Sequence, residues 1–387
     1  MLREPSLDNL KLDFETPETT AIRVAVISDA APARNGVGAY YSDLVEQLNE
    51  YVEHAALISP TVKDGVWEGG LMLPLPGDAT QKLCLPSIRG LARRVEEVNP
   101  NVVIIPTPGP YGLIGSQIAK RRNASVIIGY HTHFEKIMSL YWNRIRIISA
   151  VTRGYFEVCN RILFKQGKMV LANSQEMATV AQRMGAPAVE LMGTPIPKSF
   201  IDDSVLPLNS EIKRVLFAGR LAAEKNVEAF LEAAKDLPDI EFIIAGDGPM
   251  RNEVQKRVDQ LPNTRLLGWI PRVQMQATLD SIDVLILPSY VESFGTIALE
   301  AMARERMVLV SHGCGILEWP ELSRGLFVIR EDETVTQAIA RIADLDHSVR
   351  KKKAQRGRIA AKRLNDWTIK TWLELLRRGV DGEIDNI

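Results

Sequence analysis

Residues 283–302 read DVLILPSYVESFGTIALEAM, which places a buried strand, a short polar loop and a helix in immediate succession. Nearly continuous Val, Ile and Leu runs indicate strands that are covered on both faces. Such runs, several followed by helical patterns, predict parallel sheets covered by helices. The others span residues 22–28, 54–59, 101–106, 124–130, 168–173 and 188–193, then 214–219, 240–246, 264–269, 307–311 and 326–330.

Length and punctuation predict two such units. The chain has 387 residues, and residues 193–212 hold three prolines without a clear period. A domain typically takes about 100–200 residues. We therefore predict a polar N-terminal arm at 1–20, a first Rossmann-like domain at 21–195, a linker at 196–210, a second Rossmann-like domain at 211–346 and C-terminal helices at 347–387.

The composition excludes several classes of protein. Lys and Arg total 47 against 48 Asp and Glu, which gives no general nucleic-acid signature. Three widely spaced cysteines, Cys84, Cys159 and Cys314, do not make a disulfide framework. No apolar run reaches the ~18 residues that span a bilayer, and the first twenty residues lack a signal-peptide pattern. These features predict a cytoplasmic protein.

A glycine turn opens the first predicted helix, at RNGVGAYY (34–41). The dinucleotide fingerprint needs a third glycine where Tyr41 stands and an acid after the second strand, so a nicotinamide enzyme is not expected. Gly36 and Gly38 still allow backbone to approach a ligand, and helix amides can bind an anion. The alternative is an ordinary tight turn.

Charged residues follow two strands of the second half. Arg220 and Lys225 come after strand 214–219, at the edge where doubly wound sheets bind ligands. Glu292 falls in the next such loop, Ser293 is the predicted N-cap, and Glu300 lies about two turns into the helix. Surface charges are the alternative interpretation. Otherwise, a diphosphate is expected on the free amides at the helix start, those of Gly295, Thr296 and Ile297.

With these motifs the chain resembles glycosyltransferase family 4, the retaining nucleotide-sugar transferases of GT-B fold, from about Arg23 to about Leu376. The second half carries FAGRLAAEKN, IIAGDGPMRNEV, LLGWIP, SIDVLILPSYVESFGTIALEAMA and HGCGILE. The first half carries NGVGAYYSDLV, PTPGPYGLIGSQIA, YHTHF and VLANSQEMA. The resemblance implies two doubly wound Rossmann-like domains that face across a cleft, with C-terminal helices that cross back to the first domain.

The resemblance also implies a hexosyltransferase that takes a UDP- or GDP-sugar as co-substrate. Its catalytic residues would be His131, facing the sugar, Glu292, holding the sugar hydroxyls, and Arg220 and Lys225, contacting the diphosphate. The implied donor-binding residues are Gly36, Arg220, Lys225, Trp269, Gly295, Thr296, Ile297 and Glu300. Among these, Trp269 falls where the family surrounds the nucleobase, and Glu300 matches the acid that binds ribose.

No cofactor and no metal are expected. An Asp-x-Asp pattern occurs only as Asp344-Leu345-Asp346, in the C-terminal helical region. On a strand, His131 and His133 would face one side and could hold two metal ligands, but a third metal ligand is not evident. Fixed cations and helix amides would then stabilise the leaving diphosphate.

The acceptor is open between a lipid and a soluble molecule. Residues 120–168 hold ten Lys or Arg against two acids, with apolar residues interleaved. This pattern predicts peripheral membrane contact through 134–165, at the inner face of a membrane, or a core-facing helix with a solvated basic face. The first-half motifs look most like family members that glycosylate lipids.

Two further points bear on the function. A GT-B epimerase, a phosphorylase and a non-catalytic nucleotide-sugar-binding subunit are the alternatives to a transferase. The chain also departs from the family after EAMA, because ARERM places Glu305 and Met307 where a glycine and a proline usually stand.

Overall fold

The computed structural model describes residues 21–32, 36–63, 66–68, 71–75, 78–131 and 146–382. They form two compact units. Unit 1 comprises the described residues up to Pro195 and again from Leu364, and unit 2 comprises Ile196–Arg363. The predicted N-terminal arm at 1–20, and residues 132–145 of the basic stretch, lie outside the described residues.

Unit 1 contains a parallel sheet of six strands in the order β10-β9-β8-β7-β1-β2. Arg23 pairs with His54 and Val24 with Val102, so β1 lies between β2 and β7. Its elements are β1 (Arg23–Ile27), α1 (Gly36–Leu48), β2 (His54–Ile58), β3 (Thr61–Lys63), β4 (Val66–Glu68), β5 (Leu71–Leu75), β6 (Asp78–Leu85), α2 (Ile88–Val98), β7 (Val102–Ile105), α3 (Pro110–Arg121), β8 (Ser125–Tyr130), α4 (Arg146–Gln166), β9 (Met169–Ala172), α5 (Gln175–Arg183) and β10 (Val189–Leu191).

Unit 2 contains a second parallel sheet of six strands, in the order β13-β12-β11-β14-β15-β16. Its elements are α6 (Lys198–Asp202), β11 (Arg214–Ala218), α7 (Val227–Asp236), β12 (Glu241–Ala245), α8 (Arg251–Val258), β13 (Thr264–Gly268), α9 (Arg272–Asp280), β14 (Val284–Leu287), α10 (Thr296–Ala303), β15 (Met307–Val310), α11 (Pro320–Ser323), β16 (Phe327–Val328) and α12 (Val335–Ala343). In each sheet the strand order reverses beside the first strand, β1 or β11, which is the switch point at which such sheets bind ligands.

The two predicted parallel sheets are confirmed, because buried aliphatic residues fill both faces of the strands. In β1, Val24 and Val26 enter one apolar cluster, while Ala25 and Ile27 enter another on the opposite face. Two antiparallel hairpins, β3–β4 and β5–β6, are not predicted by the sequence. Strands β3, β4 and β6 mix polar and apolar residues, and the short apolar strand β5 contains Pro74, which is disfavoured inside a sheet.

The last helix, α13 (His347–Val380), begins in unit 2 and ends in unit 1. In unit 1 its Trp372 and Leu376 are fully buried in the cluster that also contains Tyr40 and Tyr41. The expected return of the C-terminal helical segment to the first domain is therefore confirmed. Within the described part of the chain, no helix combines the length and the apolar content needed to cross a membrane.

The segment that departs from the family, after α10, is held by buried arginines. Arg304 is 1% exposed and pairs with both carboxylate oxygens of Asp280, at 2.8 and 2.9 Å. The Arg304 guanidinium also donates to the carbonyls of Phe200 and Asp203. Glu305 has a φ of +56°, the left-handed conformation that a glycine adopts without strain. The backbone turn is thus kept although the glycine is absent.

Candidate functional site

The loop after β14 and the start of α10 form the centre of the candidate site in unit 2. Gly295 is the N-cap of α10, with a φ of +98°, and no side chain caps the helix. The predicted N-cap, Ser293, is therefore wrong, because the glycine turn delays the helix by two residues. The amides of Thr296 and Ile297 belong to the first turn, which has no intrahelical acceptors and suits an anion.

Glu292 faces Lys225 at this helix start. Lys225 Nζ lies 2.6 Å from Glu292 Oε2, and both side chains are about four-fifths buried, with 18% and 21% exposed. The backbone of Glu292 is fixed on the loop after β15, since its N–H donates to the Gly313 carbonyl and its carbonyl accepts from Gly315. A Cβ at Gly315 would lie 2.1 Å from the Ser293 carbonyl oxygen, so this close approach requires glycine. The HGCGILE motif therefore supports Glu292.

Arg220 and Lys225 are brought together by a short turn after β11. A 3-10 turn spans Ala223–Lys225 and ends at Asn226, whose side-chain amide donates to the Pro288 carbonyl at 3.1 Å. Glu224 is 3% exposed and lies 3.5 Å from the Arg220 guanidinium. Its carbonyl accepts the Tyr290 N–H. Sequence reasoning missed Glu224, which links the two cations to the loop that carries Glu292.

Glu300 is buried in α10 and paired with an arginine that sequence reasoning also missed. Arg272 Nη2 lies 2.7 Å from Glu300 Oε1. Burial raises the pKa of the Glu300 carboxyl, and the charge of Arg272 opposes that shift. Arg272 follows closely after Trp269, which is 44% exposed beyond the end of β13. An ionised carboxylate is an acceptor of hydrogen bonds only, and suits ligand hydroxyls.

In unit 1, His131 lies in an aromatic pocket at the end of β8, which we call the histidine pocket (Tyr40, Tyr41, Gly129, His131 and Trp372). His131 Nε2 lies 2.8 Å from the Tyr41 hydroxyl, and its ring lies 4.8 Å from the Tyr40 ring. Trp372 Nε1 donates to the Tyr40 hydroxyl at 3.1 Å. A Cβ at Gly129 would lie 2.1 Å from the Tyr41 hydroxyl oxygen, so glycine makes room for it. Burial lowers the pKa of His131 to about 4, which keeps the imidazole neutral near pH 7.

The two glycines of the first turn have different surroundings. A Cβ at Gly38 would lie 2.3 Å from the Ala31 carbonyl oxygen, so packing alone requires this glycine. Gly36 begins α1 and is exposed, with no described atom within 4 Å of an added Cβ. Gly36 is therefore the one of the two with open space for a ligand.

Two other sequence features have less structural content. No group of three or more His, Cys, Asp or Glu side chains suited to a metal occurs among the described residues, and His133 lies outside them. Asp344 and Asp346 are exposed between α12 and α13.

Comparison with known proteins agrees with this architecture. The family model "Glycosyltransferase Family 4" matches residues 34–197, and "Glycosyl transferases group 1" matches residues 200–363. The structure of Anabaena HepE in complex with UDP and glucose superposes with a TM-score of 0.65 at 14% identity, over 91% of this chain and 98% of that chain. At this identity the likeness shows the fold alone.

Curated relatives match over shorter or more divergent stretches. The α-D-kanosaminyltransferase of Streptomyces kanamyceticus is 35% identical over 105 residues, 25% of this chain and 27% of the relative. The α-monoglucosyldiacylglycerol synthase of Acholeplasma laidlawii is 22% identical over 349 residues, 82% of this chain and 87% of the relative. With four other curated relatives, the alignment to this chain covers 25% to 60% of the relative's length. The two family models and the two parallel sheets together show that the chain belongs to glycosyltransferase family 4, with the GT-B fold.

Proposed function

We propose that the chain transfers a hexose from a UDP- or GDP-sugar to a hydroxyl acceptor, with retention of configuration and without a metal or other cofactor. The observation that carries this proposal is the contact between Lys225 and Glu292 beside the uncapped start of α10. A cation for the diphosphate and an acceptor for sugar hydroxyls then lie 2.6 Å apart, next to free helix amides.

The chemistry requires such an arrangement. In the transfer, the bond between the anomeric carbon and a diphosphate oxygen breaks, and the acceptor oxygen bonds to that carbon. The electron pair stays with the departing nucleoside diphosphate, and the hydroxyl proton leaves to that group or to water. Arg220, Lys225 and the amides at the start of α10 would stabilise the added negative charge, as fixed charges and dipoles do in other enzymes. We propose no protein nucleophile.

The remaining roles follow the family resemblance. Glu292 would accept hydrogen bonds from the transferred sugar, and Glu300 from the ribose. Trp269 would pack beside the nucleobase, and Gly36 would let backbone approach the donor phosphate. His131, neutral in its pocket, would offer one ring nitrogen to a sugar hydroxyl. Among donors, UDP-sugars come first, because the HepE structure contains UDP and glucose.

A lipid acceptor is favoured by the exposed face of α4. Tyr155, Val158 and Ile162 are 40%, 56% and 41% exposed, and their spacing of three and four residues places them on one side of the helix. Arg161 and Lys165 are exposed on the same helix. Apolar and basic side chains together suit the surface of an anionic membrane. The Acholeplasma relative is named for a diacylglycerol product, which agrees with this choice.

A ligand screen tests the central proposal. Thermal shifts with UDP, GDP, ADP and their hexose derivatives should show one clear winner, since a ligand at 100 times its Kd stabilises by about 2.7 kcal/mol. Without an acceptor, the enzyme should slowly hydrolyse the donor that gives the largest thermal shift. The rate of this hydrolysis should be the same with and without excess EDTA. Loss of turnover in EDTA that Mg²⁺ or Mn²⁺ restores would contradict metal independence.

The same incubation separates the alternatives. An epimerase would convert the donor sugar into its isomer, a phosphorylase would need inorganic phosphate, and a non-catalytic subunit would bind the donor without turnover. If the protein binds none of these nucleotides, the proposal of a nucleotide-sugar site is wrong.

Vesicle sedimentation tests the lipid acceptor. The protein should sediment with anionic vesicles at low salt and be released as salt rises, because salt screens surface charge over about 10 Å at 0.1 M. Val158→Asp with Ile162→Asp should weaken this binding. Ile359→Asp, which changes an apolar side chain 53% exposed on α13, is the matched control and should not. If the wild type, the double variant and Ile359→Asp bind vesicles equally, α4 is not the membrane contact, and a soluble acceptor is favoured.

A further inference from the structure

The carboxylate of Glu300 is held from one side. Its Oε1 accepts a 2.7 Å hydrogen bond from Arg272 Nη2, and Oε2 makes no hydrogen bond within the described part of the chain. Glu300 is 4% exposed. A buried carboxylate with one oxygen fixed and the other available is arranged to accept hydrogen bonds from a ligand.

Arg272 is placed by the turn that follows β13. Gly268 takes a φ of +70°, and Pro271 is the N-cap from which α9 begins at Arg272. The arginine therefore stands on the first residue of a helix, and Glu300 stands in the second turn of another, α10. Both partners are anchored in regular structure, so the guanidinium sets the direction of the carboxylate.

The charge of Arg272 also opposes the effect of burial on the Glu300 carboxyl. Burial disfavours the ionised carboxyl, and Arg272 is the one charged group, among the described residues, whose interaction lowers its pKa. A protonated carboxyl would turn one oxygen into a donor and lose part of its capacity to accept.

We propose that Arg272 is a positioning residue for the nucleotide, which keeps Glu300 ionised and oriented so that Oε2 accepts hydrogen bonds from the ribose hydroxyls. This inference rests on the proposed nucleotide-sugar site. It adds a residue on α9, whereas Glu292 lies in the loop before α10 and Glu300 within α10, and the motifs do not mark this position. Arg272 acts through Glu300, without itself touching the ribose.

The test compares the affinity of UDP, by calorimetry, from about pH 8 to about pH 6. GDP or ADP replaces UDP if the ligand screen selects it. Arg272→Gln should weaken binding by about tenfold, as expected for a charged hydrogen bond, and the ratio of variant to wild-type Kd should grow as the pH falls. Arg272→Lys restores a positive charge and should remove most of this pH dependence. Glu300→Gln should weaken binding to a similar extent at every pH.

A control and a second ligand sharpen the result. Arg265→Gln changes an exposed arginine on β13 that pairs with Glu241, and should leave UDP binding unchanged. Arg272→Gln should also lose the preference of the wild type for UDP over 2′-deoxy-UDP. If Arg272→Gln loses the same UDP affinity at every pH, or loses none, the inference is overturned. If the wild type binds no nucleotide, the proposed function fails instead.

Discussion

The histidine pocket of unit 1 and the charged site of unit 2 treat ionisable groups in opposite ways. In unit 1, apolar and aromatic neighbours surround His131, and burial lowers its pKa to about 4. In unit 2, two acids of the candidate site each have a cation beside them: Lys225 beside Glu292 and Arg272 beside Glu300. One unit surrounds its ionisable residue with aromatic rings, and the other places a cation beside each of two acids.

This difference shows why a motif alone does not determine the chemistry of a residue. A carboxylate that is buried as deeply as Glu300, but has no cation beside it, would be shifted toward its neutral form. A histidine beside an acid would be pushed toward the cation. The neighbours of these groups are distant in sequence: Tyr41 lies 90 residues from His131, and Arg272 lies 28 residues from Glu300.

The largest expected effect concerns the neutral side of this comparison. The pKa of His131 falls from 6.5 in an exposed histidine to about 4 in the folded protein. The folded state therefore binds fewer protons, so stability is full above about pH 6.5 and is lost as the pH falls toward 4. At 1.36 kcal/mol per pKa unit, this loss is on the order of 3 kcal/mol. Urea unfolding of His131→Gln across this range should show a smaller loss than the wild type.

The matched control is His54→Gln, which changes an exposed histidine of unit 1. It should keep the wild-type dependence of unfolding free energy on pH. If His131→Gln and the wild type lose stability in parallel, the pocket does not hold the imidazole neutral, and the contrast between the units disappears.

Much of the architecture can be predicted from the sequence, and so can several of the charged residues that form the candidate site. Continuous aliphatic runs reveal the two parallel sheets, and the spacing of Arg220, Lys225, Glu292 and Glu300 marks one edge of one sheet. These signals are local or follow directly from the order of strands and helices. The contact between Lys225 and Glu292 agrees with them, although 67 residues separate the two.

The remaining features depend on tertiary packing. Glu224 and Arg272 carry no motif, and their importance comes from the side chains that folding brings to them. Ser293 has the composition of an N-cap, but Gly295 adopts a positive φ and takes that position. Gly36 and Gly38 look equivalent as letters, while Gly38 alone is required by a close backbone contact.

A second prediction separates the two acids of unit 2. Glu300→Gln should weaken the binding of the nucleoside diphosphate and of the intact donor to the same extent, because both ligands carry the ribose. Glu292→Gln should leave nucleoside diphosphate affinity nearly unchanged and lower turnover by about tenfold to a hundredfold, the worth of a charged hydrogen bond that matters most in the transition state. Calorimetry and initial rates on both variants measure these effects.

Glu253→Gln, an exposed acid on α8, is the control and should change neither quantity. A loss of nucleotide affinity in Glu292→Gln with none in Glu300→Gln would reverse the assignment of the pair. Equal losses of nucleotide affinity in both variants would mean that Glu292 and Glu300 act as one cluster.

The smallest expected effect asks whether the departure from the family after α10 concerns stability alone. Glu305 adopts a φ of +56°, which is unfavourable for a residue with a Cβ by about 1–2 kcal/mol. Glu305→Gly removes this strain but also removes a negative charge that favours the ionised forms of buried Arg306 and of Arg358. We expect a net gain in unfolding free energy of about 1 kcal/mol, measured by urea unfolding, with unchanged nucleotide affinity.

Glu374→Gly provides a control of opposite sign, because this exposed residue lies within α13, where glycine costs about 1 kcal/mol. A destabilised Glu305→Gly would mean that the charge of Glu305 beside the buried arginines outweighs the strain in its backbone. A stabilised variant with altered nucleotide affinity would mean that the turn after α10 also shapes the charged site at its start. The expected results are a higher unfolding free energy for Glu305→Gly and a lower one for Glu374→Gly. Together with unchanged nucleotide affinity, they would mean that the departure from the family affects stability alone, through the strained backbone of Glu305.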